Sequence, residues 1–297
     1  MKSVIPVWIP AVLFLPSLAW ADATGTPMNV APMLPATDIP VVLLERAPVI
    51  DGDLGEWSSV PAHTIPVTPT LEKDEQNRVG TGDVVLRVGV HGDRFHMALR
   101  WPDETPDEKF RPWRWRNDKY QRTEVRDDQF VVRFHMSGDY DSCMLSKTNY
   151  QVDVWRWSAG RSNPAGLAED QMHIISLDPM EEAAEFLGPY GTTYLLKRND
   201  DGEPFYKNAK APAVKKGDEE PGIVQSGPGS GSLVDVTAKG VWKEGYWNLE
   251  FSRLLNTGHG DDAVLVRGGR ISGAIGVFNR AGNEHKSVSG TLNFLIP

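Results

Sequence analysis

A single cysteine, Cys143, is all that 297 residues offer, so no disulfide within the chain can staple the fold, and no C-x-x-C-H motif exists to attach haem covalently. The same shortage excludes cysteine-rich zinc and iron–sulfur sites. Positive charge is also scarce. The 31 Lys and Arg residues stand against 40 Asp and Glu, a formal charge of −9 that repels nucleic acid and anionic lipid unless a basic patch offsets it. There is no G-x-S-x-G, and the Gly-Pro-Gly-Ser-Gly of residues 227–231 lacks the lysine and following helix of a phosphate loop. The acids are spread without a recognisable acid/base pair. These absences argue against an independent enzyme, and beyond residue 21 no apolar run is long enough to span a bilayer as a helix.

What is present begins with an export signal. Met1-Lys2 gives a positive start, residues 4–20 are almost wholly apolar, and Ala19-Trp20-Ala21 has the small-x-small pattern of a cleavage site. Residues 1–21 therefore read as a signal peptide and the mature protein as periplasmic, starting at Asp22. Pro6, Pro10 and Pro16 interrupt the apolar run, which makes a permanent membrane anchor the weaker reading. Residues 22–40 form a Pro-rich leader, and residues 41–297 are expected to be one domain with a loop excursion around 199–231, where Lys, Pro, Gly and Ser dominate.

Within that domain short strand patterns follow one another. Residues 84–90 and 94–101 flank His91-Gly92-Asp93, a hairpin by composition. Residues 129–135 alternate in the same way, and 234–241, 246–251, 271–278 and 287–296 favour strand by β-branched and aromatic content. Helix is confined to an expected two turns at 180–186. This spacing predicts an all-β fold, an antiparallel β-sandwich.

The chemistry-bearing stretch is Ser142-Cys143-Met144, followed by Val152-Asp153-Val154-Trp155-Arg156-Trp157. A thioether there is either a core filler or an axial ligand to haem iron. Cys143 reads as a small buried hydrophobe, and His135, His173 and His285 are alternative iron ligands, because imidazole binds iron without an unusual pKa. Asp51, Asp53 and Glu56 can gather calcium or serve as turn and capping groups. Trp113, Trp115, Trp155 and Trp157 can stack on sugar rings, or line a haem pocket and the core.

Two openings, Val49-Ile50-Asp51-Gly52-Asp53-Leu54-Gly55-Glu56-Trp57 and the segment from Arg94 through Asp103, resemble the sandwich domains shared by family 9 carbohydrate-binding modules and the haem-binding subunits of ethylbenzene-dehydrogenase-type enzymes. The Val-Asp-Val-Trp-Arg-Trp strand, the 240–253 segment and Glu284-His285-Lys286-Ser287-Val288-Ser289 resemble the second group, the haem b-binding gamma subunits of the type II dimethyl sulfoxide reductase class. That resemblance implies a non-covalent haem b held between Met144 and Lys286, with Trp155 and Trp157 around it. It also implies electron relay to or from a molybdopterin catalytic subunit and an iron–sulfur subunit, or a soluble redox partner. Where that family often has Met-Met-Gly-Asp, this chain reads Cys143-Met144-Leu145-Ser146, and Lys147 is a competing amine. The rival reading is a haem-free carbohydrate-binding module.

Overall fold

The computed structural model describes residues 27–145, 147–282 and 286–297, so residues 1–21, expected to be a signal peptide, and His285 lie outside the described residues. The polypeptide is built from short strands: β1 (Thr37–Pro40), β2 (Val42–Leu43), β3 (His63–Pro69), β4 (Gly82–His91) and β5 (Arg94–Pro102). A side hairpin follows, β6 (Trp113–Arg116) and β7 (Lys119–Arg122), then β8 (Gln129–Gly138), β9 (Tyr150–Ser158) and β10 (Glu169–Ser176). The chain continues through β11 (Ala184–Gly188), β12 (Gly191–Asn199), β13 (Tyr206–Asn208), β14 (Glu219–Glu220) and β15 (Ile223–Gln225). It ends with β16 (Thr237–Lys243), β17 (Tyr246–Leu254), β18 (Arg270–Phe278), β19 (Ser287–Val288) and β20 (Leu292–Leu295).

The long strands pair antiparallel into two layers. One layer runs β11-β12-β10-β9-β8-β18, and the other runs β3-β4-β5-β17-β16. Strand β19 pairs with β18 on one side and β3 on the other, stitching the layers into a continuous path. Among the described residues, only the short pairs β1–β20 and β2–β4 are parallel. The hairpin expected around His91-Gly92-Asp93 is present, with Val85 through His91 paired to Arg100 through Arg94.

Alternation decides what each layer buries. On β8, Phe130, Val132 and Phe134 face inward, and on β9 Trp155 and Trp157 do; across the sandwich they meet Phe95 and Trp101 of β5 and Trp247 and Phe251 of β17. Most of the rings pack edge-on or tilted, for example Phe134 on Trp155 at 4.7 Å and Trp157 on Trp247 at 4.9 Å between centroids, while Trp101 and Trp247 stack at 6.4 Å. Trp157 also donates its Nε1–H to Asn163 Oδ1 at 3.0 Å, so its polar edge is satisfied inside the core. Its ring fits because residue 240 is glycine: a Cβ there would lie 2.3 Å from Trp157 Cζ2.

Three segments differ from their sequence pattern. Residues 180–186 form no helix; Ala184 through Gly188 is strand β11, because Phe186 buries beside Leu195 only when the segment extends along β12. The end of the leader, Thr37–Pro40, is a strand on β20. The 199–231 excursion carries β13, β14 and β15, with Glu219 and Glu220 of β14 laid against the side hairpin.

Candidate functional site: a cleft on the outer face of one layer

Side chains that point away from the core on β8, β9, β10, β12 and β18 line a cleft, part of it open to solvent. The pattern is regular. Each of β8, β9, β10 and β12 contributes one apolar and one basic residue two positions apart on the same face: Val131 and Arg133, Val154 and Arg156, Ile175 and His173, Leu195 and Lys197. Phe278, Val288 and Ile275 complete the apolar wall. Gly276 lies in the floor. A Cβ there would stand 3.0 Å from Val131 Cγ2 and 3.4 Å from Lys286 Cδ, so glycine keeps the space beneath the lysine open.

Met144 and Lys286 both line this cleft. Met144 sits in the β8–β9 connection, where Cys143 and Leu145 on either side are buried in a small apolar cluster with Tyr150, Val152 and Phe186. Asp141 Oδ1 accepts from the Cys143 N–H at 2.8 Å, and Arg133 donates to the Ser142 carbonyl, which ties the connection to the cleft wall. Lys286 immediately precedes β19; its carbonyl accepts from Thr70 N–H at 3.4 Å, and its Nζ lies 5.5 Å from the Phe278 ring centroid. Two separate segments are thus brought to one pocket.

The electrostatics are unusual for an acidic chain. Arg133, Arg156, Lys197 and Lys286 surround His173, whose pKa is driven well below the ordinary histidine range by burial first and then by those cations. A neutral imidazole therefore faces the cleft at neutral pH. Arg156 also bonds Gln129 Oε1 through Nε at 3.0 Å, which fixes the guanidinium.

Other residues singled out in the sequence lie elsewhere. Trp155 and Trp157 occupy the same strand as Val154 and Arg156 but, being one residue out of phase, point into the core and do not line the cleft. His135 bonds the Gly138 carbonyl at 2.9 Å and is absent from the lining, while Lys147 stacks over Tyr190 at 4.4 Å. Trp113 and Trp115 belong to the side hairpin, where Arg122 and Lys215 lie over their rings. Asp51, Asp53 and Glu56 do turn and cap work: Asp53 Oδ1 accepts from Gly55 N–H, Asp51 Oδ1 from Asp53 N–H, and Glu56 Oε1 from Val49 N–H. The thiol of Cys143 is pushed up by burial, which removes thiolate character. Sequence reasoning missed Arg133, Arg156 and Lys197, although the apolar-x-basic spacing within three strands was a usable signal.

A family model described as ethylbenzene dehydrogenase matches residues 55–289. No curated protein sequence matches the chain. Among solved structures, the chain is similar to a family 9 carbohydrate-binding module from Caldicellulosiruptor kristjanssonii in complex with glucose, at 9% identity, TM-score 0.39, and coverage of 88% of this chain and 97% of that one. A putative carbohydrate-binding protein from Bacteroides uniformis gives 9% identity, TM-score 0.39, and coverage of 87% and 98%. Among the described residues, no helix is long and apolar enough to cross a membrane.

Proposed function

Because the chain belongs to the ethylbenzene dehydrogenase family, we propose that it is an electron-transfer subunit that holds a non-covalent haem b in this cleft, with Met144 and Lys286 as axial ligands. The observation that carries the reading is that these two residues, from separate segments, line one apolar cleft with a basic rim.

The donor set suits that group. The walls are aliphatic and aromatic, and Arg133, Arg156 and Lys197 supply the charges that propionate carboxylates require. Bound haem supplies a one-electron couple, and two protein ligands leave no open coordination position for oxygen or substrate. The Met144 thioether is a soft donor that favours the ferrous state, while an amine such as that of Lys286 donates its lone pair only when deprotonated. Three fixed cations around the cleft raise the local potential, which favours the reduced form of a one-electron centre. In this reading the protein insulates and tunes the couple and leaves catalysis to a molybdopterin subunit, with an iron–sulfur subunit or a soluble redox partner exchanging the electrons. The mature protein is periplasmic, and amino-terminal sequencing of the periplasmic form should begin at Asp22; an intact Met1 on membrane-bound protein would refute export by cleavage.

His173 supports a second assignment, as the ligand in place of Lys286, because its neutral ring lines the same cleft. Optical spectra of protein matured with ample haem test both. The wild type should show a reduced α-band with extractable haem and should resist carbon monoxide. Met144→Ala should lose the sulfur-to-iron charge-transfer absorption and lower the potential. Lys286→Ala should admit carbon monoxide; if His173→Ala does so instead, the imidazole is the ligand. A colourless, folded wild type whose tryptophan fluorescence responds to sugars would replace this reading with a carbohydrate-binding one.

A further inference from the structure

On the opposite face of β9 from the cleft, the core contains a concentration of carboxyl groups that the proposed electron-transfer role does not use. Asp153 of β9, Asp170 of β10, Asp200 just after β12, and Asp261 and Asp262 between β17 and β18 converge there. Asp153, Asp170 and Asp262 have carboxylate oxygens within 4.8 Å of one another, and so do Asp200, Asp261 and Asp262. One fully buried cation answers the first trio: Arg253 Nη1 lies 2.5 Å from Asp153, 3.3 Å from Asp262 and 3.9 Å from Asp170. Its Nη2 is spent on the Ala263 carbonyl.

The second trio meets Arg253 through Asp262 alone, whose Oδ2 also accepts from Thr257 Oγ1. Among the described residues, neither oxygen of Asp200 and neither oxygen of Asp170 has a hydrogen-bond partner, although Asp200 is only 5% exposed and Asp170 fully buried. Asp262 Oδ1 also accepts no hydrogen bond. Asp261 is oriented through its Oδ2, which accepts from Ser232 Oγ at 2.9 Å and Asp201 N–H at 3.2 Å. Buried carboxyl oxygens without donors are rare because each forfeits hydration without replacement. A solvent-open polar cleft lined by Asn199, Asp200, Ser232, His259 and Asp261 leads to this group.

We propose that Asp200, Asp261 and Asp262 bind a calcium ion, with Asp170 behind them, and that this ion pins the β12, β10 and β17–β18 segments together. The donors are all hard oxygens, fixed by surrounding structure yet drawn from several elements, which suits the larger and more tolerant calcium over magnesium's strict octahedron.

The test uses the mature full-length protein, freed of metal with chelator and titrated with calcium chloride, with magnesium chloride as the control. A single calcium ion should bind by calorimetry and raise Tm, with a much smaller magnesium effect. Asp200→Asn should abolish the calcium-dependent rise while raising the metal-free Tm, because it removes a repelled carboxylate and keeps the shape. A wild type that neither retains calcium nor gains Tm from it overturns the proposal. So does an Asp200→Asn variant that keeps the full calcium response, since the ion would then lie elsewhere.

Discussion

Replacing Arg253 by methionine tests how much of the fold depends on one buried charge. The guanidinium is inaccessible to solvent, lies over the Trp155 ring at 4.8 Å and meets Asp153, Asp170 and Asp262 at 2.5, 3.9 and 3.3 Å. Methionine fills much of the volume but leaves those acids without their cation, and breaking a buried pair in this way costs about 3–5 kcal/mol. Against a total stability on the order of 5–15 kcal/mol, that is a large share. The loss depends on pH in a defined direction. Asp170 is held well above the carboxylate range and Asp262 is raised to about 6, burial being the first cause in both. The folded protein therefore binds more protons than the unfolded chain above about pH 4, and these groups subtract stability as pH rises through their folded pKa values. Without Arg253 they rise further, so the deficit should be largest above neutrality and shrink toward about pH 5 as the carboxyls protonate. Urea unfolding of wild type and Arg253→Met in chelator, at about pH 5 and about pH 8, measures it. A deficit below about 1 kcal/mol at the higher pH, or one equal at both, would refute the reasoning.

Two further outcomes follow from packing. Gly240→Ala places a Cβ against the Trp157 ring, whose Nε1–H is tied to Asn163, and should lower stability by roughly 1–3 kcal/mol in thermal unfolding; an unchanged Tm would show that the ring can move aside. Cys143, buried and with its thiol pushed up, should react with a thiol reagent far more slowly in the native protein than in denaturant, and prompt native reaction would show the β8–β9 connection to be open.

The strands that frame the sandwich were legible because alternation is local: Val84 through Val90 and Arg94 through Trp101 carry their own inward and outward faces and a turn between them. The 180–186 segment was not, because its burial depends on β12, a neighbour that its own periodicity cannot reveal. Met144 and Lys286 were found through family resemblance, and the geometry adds that they line one cleft. The phase of β9 mattered more than its composition. Trp155 and Trp157 drew notice as aromatics, yet a one-residue step sends them to the core and leaves Val154 and Arg156 on the cleft. The acidic group around Arg253 was illegible for the opposite reason, since its members are scattered from residue 153 to residue 262 and only the fold unites them.

The two flanks of the cleft are restrained by different forces. Lys286 is held through main chain, by its carbonyl on Thr70 and by the β19 residues that follow it in the seam between the layers. Met144 is held through side chains, because Cys143 and Leu145 on either side of it are sunk in the small apolar cluster. Hydrogen-bonded sheet resists shear and gives way only when strands part, whereas a packed cluster loosens as its contacts thin. The cleft thus has an anvil and a latch: residues such as Leu145, Tyr150 and Phe186, none of which lines it, set how firmly the latch closes.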